Sequence, residues 1–166
     1  MAGMALGEWI RKQWRGVFDC LMVLEEPRAG ALPAARIRGQ LDGLQEVVGE
    51  IPQARITFLD SGNTSDTSEA HMLAALKAYP DSHKIAVISF NDDAAMGALA
   101  ATRQAKREED VIIVGQGADR IVRPEIRRPQ SRLIGSTAFM PEKYGEKLID
   151  LSLRILRGEP LPPAIY

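Results

Sequence analysis

Residues 84–98, KIAVISFNDDAAMGA, constrain the fold of this chain more than any other stretch. They read as an apolar, largely β-branched run from Ile85 to Ser89, then a polar turn of Phe90, Asn91, Asp92 and Asp93, then a helix built on Ala94, Ala95, Met96, Ala98 and Leu99. A run apolar on both sides suits a strand buried on both faces of a parallel sheet, and a parallel strand must be followed by a crossover, usually a helix. The polar turn therefore falls at the carboxyl end of a central strand. In an open α/β sheet ligands bind along that edge, because loops gather there and helix amino termini point free N–H groups into the crevice. Asn91 or Asp92 caps the helix, and whichever of Asn91, Asp92 and Asp93 does not cap faces the crevice; the plainer reading is that all three only cap and solubilise.

The same alternation runs through the chain. Residues 7–14 read as a helix with Trp9, Ile10 and Trp14 on its apolar side, residues 17–24 as a first strand, and residues 25–33 as a loop marked by Pro27, Gly30 and Pro33. A helix over 34–48 has Ile37, Leu41, Leu44 and Val48 at helical spacing, with Gly49 closing it. A second strand, 55–59, precedes the turn Asp60-Ser61-Gly62-Asn63-Thr64, and a helix over 65–79 follows, stopped by Pro80. After the central strand and its helix come a strand over 110–115, the loop Gln116 to Asp119, a short helix restarted at Pro124, a fifth strand over 133–138, and a last helix over 141–157. Five strands separated by helices predict a Rossmann-like open parallel sheet with helices on both faces, an α/β fold.

Composition limits what such a sheet edge serves. At 166 residues the chain suits one domain, and 45 % hydrophobic with 26 % charged residues is the balance of an ordinary globular protein. With 21 basic against 22 acidic residues the net charge is −1, which argues against nucleic acid as a partner, since phosphate binding needs a concentrated basic footprint. Arg120, Arg123, Arg127, Arg128 and Arg132 cluster, but Asp119 and Glu125 interleave with them, as on a solvated face. The single cysteine, Cys20, lies in an apolar run and reads as a buried strand residue. Residues 1–6 carry no basic region followed by a long apolar core, and no stretch reaches the length of a membrane span. The chain as given is therefore expected to stay in the cytoplasm.

Enzyme motifs fail one by one. Val114-Gly115-Gln116-Gly117-Ala118-Asp119-Arg120 follows a strand and opens with G-x-G, yet Arg120 stands where a dinucleotide fingerprint has its third glycine. No phosphate loop and no nucleophile elbow occur. His71 and His83 have no metal-ligand spacing between them or with Cys20. Asp92 and Asp93 are adjacent at a helix start and point apart, with no neighbouring base. The expectation is a non-catalytic protein with neither cofactor nor metal. What the carboxyl-end loops do offer is Arg36 and Arg38, Asp60 and Asn63, Asn91 with Asp92 and Asp93, and Gln116 with Asp119. Planar amides, carboxylates and guanidiniums of this kind give the directional hydrogen bonds that hold hydroxyl-rich ligands such as sugars.

These pieces resemble the carboxyl-terminal lobe of a type I periplasmic binding protein, the sugar-binding component of an ABC transporter, whose fold is shared with the effector domains of lactose-repressor-like regulators. The resemblance rests on Asn91-Asp92-Asp93-Ala94-Ala95-Met96-Gly97-Ala98, on Val111 to Gly115 before a turn, and on Tyr144-Gly145 leading into a helix that ends Leu156-Arg157-Gly158-Glu159. It implies that Asn91 hydrogen-bonds the ligand, that Arg36 or Arg38 does so from the start of the first long helix, with Gln40 possible by register, and that the turn from Asp60 to Asn63 adds a contact. Two positions depart from the family pattern. Gly117 stands where an aspartate is common, so Gln116 or Asp119 would replace it, and Phe139 stands where a glutamine is common.

The resemblance further implies a sugar ligand, a permease partner in the membrane without insertion of this chain, and a periplasmic location. Family members close two lobes on the ligand about a hinge. The expectation is a truncated single lobe, with residues 1–140 forming the binding unit and 141–166 a helix and tail that pack on a second lobe or a partner chain. In that last helix Tyr144, Leu148, Leu151 and Ile155 form one apolar stripe, and Ile149, Leu153 and Leu156 a second, where a surface helix needs only one. A homodimer through the first stripe is the corresponding expectation. The alternative is an effector-sensing domain of a lactose-repressor-like regulator without its DNA-binding segment.

Overall fold

The computed structural model describes residues 1–161. The elements in order are α1 (Ala2–Gln13), β1 (Cys20–Glu25), α2 (Ala31–Val48), β2 (Ile56–Asp60), α3 (Ser65–Ala78), β3 (Ile85–Ser89), α4 (Asp92–Gln104), β4 (Val111–Gly117), α5 (Val122–Ile126), β5 (Leu133–Ala138) and α6 (Gly145–Leu156), with short 3₁₀ turns at Pro27–Ala29, Gln53–Arg55 and Pro141–Lys143. The five strands form one sheet in the order β2-β1-β3-β4-β5, and every neighbouring pair is parallel. Right-handed crossovers between such strands put the helices on both faces. Accordingly α1 packs on α2, and α3 on α4. The α/β sheet expected from the alternation is the observed one.

The centre of the sheet is its driest part. Leu21 to Leu24 in β1, Ile85 to Ile88 in β3 and Val111 to Val114 in β4 are all buried, so three adjacent strands are covered above and below. At about 25 cal/mol per Å² of apolar surface, such a β-branched core outweighs any local preference of its residues. The edges differ: β2 is half-buried throughout, and its Phe58 is exposed. Among the described residues no helix is long and apolar enough to cross a membrane.

Several boundaries move from their expected places, each for a local reason. The first helix starts at Ala2 instead of residue 7, because Ala2 and Leu6 continue the buried stripe of Ile10. The first strand starts at Cys20 instead of 17, since Asp19 turns its carboxylate to accept the N–H groups of His83 and Lys84 at the foot of β3. Cys20 itself is buried, and that burial pushes its thiol pKa up. α2 begins at Ala31 and takes Pro33 into its first turn, where the missing N–H has no helical partner to lose. Pro124 is likewise the third residue of α5 and not its first.

Two further shifts bear on the binding edge. β4 runs two residues past its expected end, pairing Gln116 with Thr137 and Gly117 with Ala138, so Gln116 is a strand residue and not part of a loop. The last helix divides at Tyr144 into the 3₁₀ turn Pro141–Lys143 and α6. None of α6 is buried: Leu148, Ile149, Leu153, Ile155 and Leu156 are exposed, with Leu156 at 82 %. The end of the tail, residues 162–166, lies outside the described residues.

Candidate functional site

Strand order reverses between β1 and β3, which opens the crevice between the loops after these two strands. Asn91 closes β3 and caps α4. Its Oδ1 accepts the N–H of Ala94 at 2.9 Å, and its Nδ2 donates to Asn63 Oδ1 at 2.9 Å. Asn63 sits in the turn after β2 with φ 56°, a left-handed conformation that asparagine tolerates better than most residues. The two amides thus tie the β2 and β3 loops together at the sheet edge. Beside them the loop after β1 is held by a charged clamp: Arg28 makes two 2.8 Å hydrogen bonds to the Asp60 carboxylate and reaches Glu26, which is 6 % exposed. The guanidinium holds the Asp60 carboxyl below its usual range, helped by the N–H of Gly62.

Asp92 does not face the crevice as a non-capping residue was expected to; it is fully buried. Its Oδ2 accepts the N–H of Asp119 at 2.7 Å and its Oδ1 the hydroxyl of Ser136 at 2.6 Å. Ser136 Oγ in turn accepts the N–H of Ala118 at 2.9 Å. Burial pushes the Asp92 carboxyl above its ordinary range, against the pull of those two donors. The glycines of the G-x-G segment make this arrangement possible. A Cβ on Gly115 would lie 2.5 Å from Asp92 Oδ1, and one on Gly117, where φ is +139°, would lie 2.8 Å from Asp92 Oδ2. The segment that mimics a dinucleotide fingerprint makes room for a carboxylate of its own chain.

The open part of the edge lies on the β4 side. A cleft of about 480 Å³ is lined by Arg36, Gln116, Gly117 and Asp119 and walled by Leu32, Phe139, Pro141 and Tyr144. Arg36 rises from the second turn of α2 and lays its guanidinium 4.5 Å from the centre of the Phe139 ring, a cation–π contact of about 0.5–1 kcal/mol at an exposed site. The Tyr144 hydroxyl donates to the Phe139 carbonyl and holds the rim. The floor is polar, the wall is apolar, and Asp119 is exposed at its margin.

Arg36, Gln116 and Asp119 therefore come together in one cleft, while Asn63 and Asn91 form a separate pair at the neighbouring loops. Arg38 is exposed and outside the cleft lining, because two residues along a helix turn it about 200° from Arg36. Sequence reasoning missed the Glu26–Arg28–Asp60 clamp and the role of Ser136. Nothing in residue spacing announces either, since each joins separate elements. Among the described residues no group of three or more metal-ligating side chains occurs.

Residues 1–160 match the family model described as the periplasmic binding protein domain. The chain belongs to this periplasmic binding protein family. A curated relative, the D-apiose import binding protein of Paraburkholderia graminis, is 36 % identical over 91 residues, 54 % of this chain and 28 % of that protein. An ABC transporter solute binding protein from Agrobacterium vitis, solved with bound allitol, is 26 % identical, with a TM-score of 0.74 over 99 % of this chain and 56 % of that one. At 16 % identity, a periplasmic solute binding protein from Actinobacillus succinogenes with bound D-allose shares the fold with the same TM-score and the same 99 % and 56 % coverage. A regulatory protein of the LacI family from Chloroflexus aggregans also shares the fold, at 23 % identity, TM-score 0.68, and 96 % and 56 % coverage. The periplasmic binding protein family thus includes sugar-binding relatives of this chain, which spans about half the length of the solved structures it matches.

Proposed function

We propose that this chain is one lobe of a two-lobed sugar-binding protein that hands its ligand to a membrane permease of an ABC transporter. The observation that carries the reading is the cleft at the carboxyl edge of β4, where the Arg36 guanidinium, laid over the Phe139 ring, is joined by the Gln116 amide and the Asp119 carboxylate. Polar groups that can aim at separate hydroxyls, beside apolar side chains such as Leu32 and Pro141 that can cover a sugar's carbon face, suit a polyol. None of them is paired as nucleophile and base, so the chemistry on offer is binding without reaction. Asn91, with Asn63 behind it, would add a second set of contacts from the neighbouring loops, and Asp92 would act by holding Asp119 in place. One lobe supplies only part of a ligand's contacts, so its own affinity is expected to be weak, with the second lobe closing over the sugar.

The experiment is a nuclear magnetic resonance titration of the 166-residue chain with D-apiose, D-allose and allitol up to high millimolar concentration. Binding should move the resonances of Arg36, Gln116 and Asp119, and Arg36→Ala should abolish the shifts. If no polyol moves them, the sugar reading fails.

The likeness to a LacI-family regulator supports a second reading, an effector-sensing domain. Fractionation of the source cells separates the two: the transport reading requires the protein in the periplasm, the regulatory reading in the cytoplasm.

A further inference from the structure

Behind the cleft lies a buried polar side chain whose amide is matched at one end only. Gln40 belongs to α2, one turn beyond Arg36, and is 3 % exposed. Its Nε2 donates to the carbonyl oxygen of Ser89, the last residue of β3, at 2.7 Å, and to Gln116 Oε1 at 3.2 Å. Its own Oε1 has no partner among the described residues. A buried amide with one end unmatched costs about 1–3 kcal/mol compared with a satisfied one, and the bonds to Ser89 and Gln116 stand against that cost.

The direction of these bonds is forced from one end. A backbone carbonyl can only accept, so Gln40 must turn its NH₂ toward Ser89. The second proton of that same NH₂ then points at Gln116, which must answer with its oxygen. With the Gln116 oxygen turned toward Gln40, its NH₂ is the end turned to the cleft, which Gln116 lines next to Arg36 and Phe139. Gln40 and Gln116 also line a smaller surface pocket of about 190 Å³ with Arg36 and Thr137, beside the cleft.

We infer that Gln40 is a positioning residue that fixes the amide of Gln116 so that the cleft presents an NH₂ donor, and that the ligand atom opposite Gln116 is a hydrogen-bond acceptor. This rests on the sugar-binding reading of the cleft. With the Arg36 guanidinium beside it, that part of the site presents donors, and the Asp119 carboxylate at the margin is the complementary acceptor. The ligand class is thus narrowed to polyols that turn oxygen lone pairs toward β4 and a hydroxyl proton toward the loop after it.

Two measurements on the full chain test this separately. In the free protein, the Gln40 side-chain NH₂ protons should exchange with water about tenfold more slowly than those of Gln116, and Gln40→Met should shift the Gln116 NH₂ resonances. Equal exchange, or Gln116 resonances unmoved by Gln40→Met, overturns the relay whether or not any sugar binds. In titrations with D-apiose, D-allose and allitol, Gln116→Glu keeps an acceptor for Gln40 but removes the donor from the cleft, and should weaken binding about tenfold or more. Gln40→Met should weaken it about as much, and the double variant should bind no worse than Gln116→Glu alone, because Gln40 acts through Gln116. Unchanged binding by Gln116→Glu, or additive losses in the double variant, overturns the inference. Absence of binding by the unmodified chain overturns the sugar reading and the ligand half of the inference, while the exchange measurement still decides the relay.

Discussion

Replacing Gly117 by alanine tests the account of the binding loop at one atom. The added Cβ would stand 2.8 Å from Asp92 Oδ2 and 3.1 Å from Asp119 Oδ2, on a backbone with φ of +139° that side chains rarely adopt. The backbone alone costs roughly 1–3 kcal/mol for a residue other than glycine. Asp92 cannot give way freely, because its Oδ2 holds the N–H of Asp119 and its Oδ1 the hydroxyl of Ser136. Weakening one hydrogen bond to a charged acceptor adds about 1–2 kcal/mol. The total of about 2–5 kcal/mol corresponds to a fall in Tm of about 4–20 °C for a chain of this size, read by circular dichroism during thermal unfolding. Gly135→Ala is the control, since a Cβ there meets nothing within 4 Å. It should leave Tm unchanged or slightly raised. If Gly117→Ala melts within about 2 °C of the unmodified chain, the carboxylate does not fill the space under the loop and the reasoning is wrong.

Other perturbations address other parts of the molecule. Asn91→Ala removes the cap of α4 and the partner of Asn63, and should cost about 1 kcal/mol, or roughly 2–4 °C in Tm. Burial raises the Glu125 carboxyl pKa, but the hydrogen bonds from Arg103 and Ser131 with the nearby Arg128 charge outweigh it and leave the pKa lowered. A group whose folded pKa is lowered contributes stability above its unfolded pKa and loses it as pH falls through the folded one. Glu125→Gln should therefore flatten the loss of stability below the ordinary glutamate range, measured by urea unfolding at a series of pH values. The exposed apolar face of α6 should make the chain self-associate at micromolar concentration, and Leu148→Lys should restore the monomer in light scattering. A chain that stays monomeric across that range refutes the dimer.

The parallel sheet was legible because its signal is local and strong. Runs such as Ile85 to Ser89 and Val111 to Val114 are apolar on both sides, and only a doubly covered strand has use for that. The capping role of Asn91 was also open to reading, since a cap needs only residues three apart. Which of the adjacent acidic residues would be buried was not, because the pocket for Asp92 is made by Gly115, Gly117, Asp119 and Ser136, which lie 23 to 44 residues away in the chain. Arg36 and Arg38 were equivalent until the face of α2 was known. Gln40 stood out only as a matter of register until its amide was seen between Ser89 and Gln116.

By itself, then, the amino-acid sequence determined the order of strands and helices, the buried middle of the sheet, and the edge where polar residues collect, since all three follow from periodicity and burial over a few neighbouring residues. Tertiary structure alone decided which polar groups reach the cleft, which are consumed in holding one another, and which end of the Gln116 amide is left facing it. A hydrogen bond between distant segments depends on the direction of two side chains across the sheet, and spacing along one chain carries no record of that direction.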